Sequence, residues 1–177
     1  MQEMKESPML IENESLFSIQ LQREVIVDLY YPPDRFDSSP VNLLLINDGQ
    51  DMQTLGLKKI LETLYDKEMI RPLLIVAMHA GAERKMEYGI ANMPDYKGRG
   101  AKAAKYSDFV MNELLPYIIT KSGIKLFSGF GFAGFSLGGL SALDIAWNHP
   151  EVFNRVGVFS GSLWWRSVDQ LDEEYSD

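Results

Sequence analysis

Gly131-Phe132-Ala133-Gly134-Phe135-Ser136-Leu137-Gly138-Gly139-Leu140 decides how the chain reads. Apolar residues run up to one serine, and small and apolar residues carry on after it. Gly134-Phe135-Ser136-Leu137-Gly138 fits G-x-S-x-G, a sharp strand-to-helix turn that lifts a serine hydroxyl clear of a sheet. Glycines on both sides remove the Cβ atoms that would clash in so tight a turn. The helix that follows points its first N–H groups at any charge that develops on the serine. The pattern alone is weak, since glycine and serine are common. Strand-like residues before Ser136 and a helical run from Leu140 to Trp147 strengthen it. The bland reading is an ordinary serine in a glycine-rich turn.

The flanking chain supplies the layers such a turn needs. Residues 125–135 lead into the turn as a strand, and residues 141–149 complete the helix, stopped by Pro150. Residues 154–160 read as one more buried strand. Upstream, the apolar runs at 41–47 and 73–78 are of the kind buried on both faces of a sheet. Between them Thr54 is expected to cap a helix reaching Met69, with Leu57, Ile60, Leu61 and Leu64 on one side, and Pro72 breaks it. Strand, helix, strand in this order gives a parallel pair. Residues 16–22 and 23–31 alternate apolar and polar, which predicts an antiparallel pair at the sheet edge, ended by Pro32-Pro33. Residues 105–120 predict a helix with Phe109, Val110, Leu114 and Ile118 inward and a kink at Pro116. Residues 34–40 form a polar loop and residues 169–177 an acidic tail. Residues 80–102 follow the C-terminal end of a strand, where open α/β sheets bind ligands. They are either a functional loop or a solvated excursion. The fold class is α/β: one domain over residues 1–177, with a mostly parallel sheet and helices on both faces.

Composition bounds the function. The chain has 177 residues and a formal charge of −8, which argues against nucleic-acid and anionic-membrane surfaces. It has no cysteine, so disulfides, thiolate metal sites and a cysteine nucleophile are excluded together. Residues 1–10 carry Glu3, Lys5 and Glu6 and do not read as a signal peptide. No apolar run approaches a membrane span, and a cytoplasmic location is the expectation.

A serine hydroxyl needs a base within hydrogen-bond reach and a pair of donors for the oxyanion. One donor is the N–H after the nucleophile, on Leu137. The turn Asn47-Asp48-Gly49-Gln50 follows the third strand and offers the second, the Gln50 N–H, with Gly49 letting the backbone come close. Asp48-Gly49 is otherwise a plain tight turn. The base is harder to find. His149 lies about 20 Å along the helix from Ser136, at ~1.5 Å per residue. His79 ends the strand at 73–78, about 10 Å away if one strand intervenes. Neither is a convincing base, and no metal or organic cofactor is implied.

Several stretches together resemble the putative esterase family of α/β hydrolases, which includes enterochelin esterases, feruloyl-esterase-like enzymes and mycolyltransferase-like proteins. They are Asp48-Gly49-Gln50, Arg84 with Glu87-Tyr88, Glu113-Leu114-Leu115-Pro116, Gly134-Phe135-Ser136-Leu137-Gly138-Gly139, His149-Pro150 with Phe153, and Ser160-Gly161-Ser162-Leu163-Trp164-Trp165. The double tryptophan is most similar to the enterochelin-esterase branch, where residues at this position border the substrate pocket. The resemblance implies an α/β-hydrolase fold lacking its last strands. It also implies that the triad acid and histidine come after residue 177.

The expectation is therefore a serine carboxylester hydrolase that uses Ser136, acting on a small-molecule ester. A rim of Gly49, Tyr88, Tyr96, Trp164, Trp165 and Arg166 would suit an aromatic or catecholate-like acyl group, unless the two tryptophans simply pack the top of the sheet. Acyl transfer to an alcohol would use the same residues, and a non-catalytic binding protein is the rival from another class. The strand at 154–160 is expected to be an open edge without its usual neighbour, so that the chain forms a dimer or larger assembly around Val156–Phe159, or is poorly soluble.

Overall fold

The computed structural model describes residues 9–33 and 40–167. The readings of residues 1–8, of the loop at 34–39 and of the acidic stretch from 168 onward fall outside them. The strands are β1 (Ile11–Ser18), β2 (Arg23–Tyr30), β3 (Val41–Asn47), β4 (Leu73–Met78), β5 (Phe127–Phe135) and β6 (Arg155–Phe159). They form one sheet in the order β1-β2-β4-β3-β5-β6. β2 runs antiparallel to both of its neighbours, β1 and β4, and β4, β3, β5 and β6 run parallel. The expected antiparallel pair thus sits at one edge, and β3 lies between β4 and the serine-bearing β5.

Helices cover both faces: α1 (Leu57–Asp66), α2 (Arg84–Glu87), α3 (Ala103–Asp108), α4 (Leu115–Lys121) and α5 (Leu137–Asn148). On one face Val27, Leu43, Leu45 and Val76 pack with Phe109, Leu114, Ile118, Leu140 and Ile145 from the helices downstream of α2. The inward face expected for residues 105–120 is therefore as the spacing predicts. On the other face Ile46, Ile75, Ala77 and Ala133 meet Leu61 of α1. That face is covered unevenly. Leu57, Ile60, Leu61 and Leu64 border an apolar groove of about 570 Å³, shared with Leu44, Phe135 and Phe159. None of the helices in the described residues is long and apolar enough to cross a membrane.

Three local expectations need correction. The first strand is Ile11–Ser18, and residues 19–22 form the turn, because polar groups take their backbone donors. The Ser18 hydroxyl accepts the Leu21 N–H at 3.0 Å, and one Glu113 carboxylate oxygen accepts the N–H groups of Ile19 and Gln20 at 3.0 and 3.1 Å. Thr54 does not cap α1. Gly56, in the left-handed region at φ 69°, precedes Leu57 and stops the helix from starting earlier. Pro116 does not kink a continuous α-helix. Phe109–Leu114 form a π-helical turn between α3 and α4, and the proline stands in the first turn of α4. A wide turn absorbs the backbone bond that a proline cannot make.

Residues 80–102 are not a solvated excursion. Glu87 is fully buried and takes two bonds from the Arg23 guanidinium, at 2.8 and 2.6 Å. The buried Asp95 accepts the N–H groups of Lys97 and Arg99 at 3.0 and 2.8 Å and the Arg99 Nε–H at 2.5 Å. Two arginine–carboxylate pairs anchor a segment with little regular structure of its own.

Glu113 caps the β1–β2 turn with charge-assisted bonds, including one from the Ser18 hydroxyl at 2.6 Å. Bonds to a charged group contribute roughly 1.5–3 kcal/mol. Glu113→Ala should therefore lower unfolding free energy by about 2–3 kcal/mol in urea titration, with Glu113→Gln recovering part of the loss. An unchanged midpoint for Glu113→Ala would show that the turn holds without its cap.

Candidate active site

Ser136 stands between β5 and α5 with φ 52° and ψ −120°, a conformation that disfavours a residue with a Cβ. Such outliers cost roughly 1–3 kcal/mol and persist only where the surroundings over-determine them. Here they do. The Ser136 N–H donates to the Phe159 carbonyl at 2.9 Å. Its own carbonyl accepts from Gly139, Leu140 and Ser162 at 3.1, 3.2 and 3.1 Å. A Cβ on Gly134 would run into the Gly138 carbonyl group, so this crossing of main chains is open to glycine alone. The serine is exposed at the start of α5, and Leu137 is the first residue of that helix.

The second loop is tied to this turn by buried polar groups. The Asn47 side-chain amide donates to the Gly138 carbonyl at 2.8 Å, and the Tyr106 hydroxyl donates to the Asn47 Oδ1 at 2.6 Å. Asp48 takes the left-handed conformation and receives both a Nε–H and a terminal N–H from Arg84, at 2.6 and 2.8 Å. That fork geometry fixes orientation as well as charge. The bond from Asp48 raises the Arg84 guanidinium further above neutral pH. The Asp48 N–H donates to the Tyr88 hydroxyl at 3.3 Å. Burial pushes the phenols of Tyr88 and Tyr106 well above their ordinary value, so both stay protonated at neutral pH. Gly49–Asp51 then make a short 3₁₀ turn. Gln50 straps it to the end of β4, its side-chain oxygen accepting the Ala80 N–H at 2.9 Å.

The rim residues separate into supports and exposed groups. Tyr88 is 1 % exposed and does not line an open rim; it sits under the Asp48 turn. Gly49 is buried as well. Trp165 is half-buried, its ring edge against Gly89 and Gly100 and its indole N–H donating to the Met93 carbonyl at 2.9 Å. Trp164 is 57 % exposed, with the Arg99 guanidinium 4.9 Å over its ring. Arg166 lies 4.8 Å over Tyr96. One tryptophan packs and the other faces outward.

Ser162 is a site residue that sequence reasoning did not single out. It is buried, and its hydroxyl lies 3.3 Å from the Ser136 hydroxyl. Its place in the stretch after β6 was the available signal. The histidines are engaged elsewhere. His149 ends α5 with Nδ1 3.3 Å from Glu151. His79 Nε2 lies 2.6 Å from the Asp28 carboxylate at the end of β4, with β3 between β4 and β5. Among the described residues no group of carboxylates and histidines is arranged to hold a metal ion.

Comparison with known proteins places the family and the fold. A family model described as "Putative esterase" matches residues 18–177. The crystal structure of enterochelin esterase from Shigella flexneri superposes with a TM-score of 0.71 at 26% identity, over 89% of this chain and 37% of that one. The mixed sheet and its helices thus match an esterase fold of the α/β-hydrolase kind. YjcH of Bacillus subtilis is 22% identical over 149 residues, 82% of this chain and 59% of its own length. The diacylglycerol acyltransferase/mycolyltransferase Ag85A of Mycobacterium leprae is 39% identical over 64 residues, 36% of this chain and 19% of its own. The chain spans less than two thirds of the length of each.

Gly49 was expected to matter because the backbone approaches substrate there. The geometry gives a different reason. A Cβ on Gly49 would stand 2.5 Å from the Ala77 carbonyl oxygen and 2.8 Å from His79 Cδ2. Gly49→Ala should therefore cost about 1–3 kcal/mol of stability, the usual scale of overpacking, in denaturant titration, and Gly49→Val more. A Gly49→Ala protein as stable as the parent would mean that the turn relaxes freely away from β4.

Proposed function

The chain belongs to the putative esterase family, and from that premise we propose that it carries the nucleophile side of a serine carboxylester hydrolase. The observation that carries this reading is the strained Ser136 at the N-terminus of α5, held through both its N–H and its carbonyl. Ser136 Oγ attacks the acyl carbon while its proton passes to a base. The carbonyl oxygen becomes an oxyanion held by the N–H groups of Leu137 and Gln50. Collapse expels the alcohol, which takes the proton back from the base, and water then cleaves the acyl-serine by the same steps. Neither histidine among the described residues supports the role of base, since His79 follows β4, with β3 between it and the strand that carries Ser136, and His149 closes the far end of α5. Acid and base are proposed to come from beyond residue 177.

The exposed face of Trp164, with Trp165 and Arg166 beside it, suits a flat acyl group that stacks on an aromatic ring. The segment shared with the mycolyltransferase favours a second reading, acyl transfer from Ser136 to an alcohol other than water. Ser162 supports either reaction by holding the Ser136 hydroxyl.

The test is covalent labelling. A fluorophosphonate probe at high concentration should give a single, slowly formed adduct at Ser136 by peptide mass spectrometry, slow because no base activates the hydroxyl, and none on Ser136→Ala. Hydrolysis of p-nitrophenyl acetate should stay near the ~10³-fold over water that an oxyanion hole and binding supply without a base. Ser162→Ala should slow the labelling by roughly tenfold, the loss of one modest hydrogen bond. Absence of any Ser136 adduct would leave the fold a binding role instead. Turnover far above that level would place the base within this chain and return His79 to consideration.

A further inference from the structure

The second oxyanion donor sits in a turn of three residues, Gly49–Asp51. So short a turn takes its position from what it leans on. It leans on the end of β4, at three points. The Gly49 Cα lies so close to the Ala77 carbonyl that a Cβ there would stand 2.5 Å from the oxygen. The Ala80 N–H donates to the Gln50 side-chain oxygen at 2.9 Å, and the Gln50 side-chain N–H donates to Asp48 Oδ1 at 3.3 Å. The edge of the His79 imidazole lies directly against Gly49, with Cδ2 2.8 Å from the same Cβ position.

The ring is itself held in place. His79 Nε2 lies 2.6 Å from Asp28 Oδ2, and Asp28 Oδ1 accepts the Asn13 side-chain N–H, also at 2.6 Å. A carboxylate only accepts, so both partners donate to it and Nε2 carries the ring proton toward Asp28. Asn13 and Asp28 are register partners on β1 and β2, and Asp28 stands opposite Ala77 of β4. The His79 N–H donates to the Ile26 carbonyl at 2.9 Å, which ties its main chain to β2 as well. A polar row thus crosses β1, β2 and β4 and ends on the Gly49 turn.

The strand order gives this row a direction. β3 leads into the turn, with β5 and Ser136 on one side of it and β4 and His79 on the other. The imidazole therefore stands behind the turn, on the side away from the serine. We propose that His79, oriented by Asp28 and Asn13, is a positioning residue for the oxyanion turn. Its ring blocks retreat of Gly49 toward β2 and keeps the Gln50 N–H aimed at the acyl oxygen. The role rests on the esterase reading of Ser136, and it gives the histidine nearest the site a task other than that of base. Tight placement is what such a donor needs, since a displacement of about 1 Å can cost roughly a hundredfold in rate.

The measurement is the rate of Ser136 phosphonylation at saturating fluorophosphonate, which separates the covalent step from binding of the probe. His79→Ala keeps the donor but removes its backing, and should slow the saturated rate roughly tenfold with little change in the half-saturating concentration. Asp28→Ala, which frees the ring, should slow the same step. His79→Gln places an amide N–H where Nε2 stood and a flat group against Gly49, and should restore most of the rate. Glu113→Ala loosens the β1–β2 turn without touching this row, and should leave the rate unchanged. A His79→Ala protein labelled at the parental rate overturns the proposal. So does an equal loss in Glu113→Ala, which would mark a general loss of stability. A His79→Gln protein as slow as His79→Ala also overturns it, in favour of the imidazole as a proton acceptor. If the parent chain gives no Ser136 adduct at all, the esterase reading falls and this role falls with it.

Discussion

Two stretches of main chain cross at the start of α5 more closely than any side chain permits. Gly134 lies against the Gly138 carbonyl, and Gly139 lies against the carbonyl of Gly134. This crossing forces the chain from strand to helix at a single residue and leaves Ser136 at a positive φ. The strain persists because both ends are packed: β5 is buried from Gly131 to Gly134, and α5 buries Leu137 to Ala142. The exposed hydroxyl is thus a consequence of packing on either side of it. The polar groups behind it extend the same constraint. Asn47 reads the Gly138 carbonyl, Tyr106 reads Asn47, and Tyr88 and Arg84 hold Asp48. In a low-dielectric interior an unsatisfied member of such a chain is costly, so the positions of the two loops are set together.

Much of this was legible in the sequence, and the reasons are local. The G-x-S-x-G stretch and its flanks are a contiguous signal, so Ser136, Leu137, β5 and α5 could be placed from neighbours alone. The apolar runs of β3 and β4 are buried on both sides and read as such. Tyr88 could not be read, because a tyrosine in a glycine- and charge-rich stretch looks the same on a rim as under a turn. What buries it is contact with Tyr106 and with Asp48, 40 residues away in sequence. Ser162 escaped for a similar reason, since its hydroxyl meets a partner 26 residues earlier. The π turn at Phe109–Leu114 keeps the apolar spacing of a helix, so periodicity could not separate it from an α-helix. Thr54 failed as a cap because Gly56, two residues on, took the conformation that sets the start of α1.

The two faces of the sheet carry different roles. The face under α3, α4 and α5 is closed and holds the large aromatic residues of the core, Tyr88, Tyr106, Phe109 and Phe132. The face under α1 has a smaller core and a groove beside it. Ser136 emerges where these faces meet at the C-terminal ends of the parallel strands. The elements that position it belong to the closed face, while Phe135 just before it looks toward the groove.

The Glu113 cap on the β1–β2 turn carries a consequence for how the chain is made. The hairpin leaves the ribosome before the helical segment that carries Glu113, and its strands are neighbours in sequence. The carboxylate that satisfies the Ile19 N–H lies 94 residues further on. At a synthesis rate of roughly 5–20 residues per second, that is a wait of about 5–20 s. During the wait the turn must rely on water and on its own side chains, the Ser18 hydroxyl on the Leu21 N–H and the Gln22 amide on the Ile19 carbonyl. An edge hairpin that is local by sequence is thus completed late, by a helix that arrives only after β3, α1 and β4 have been made.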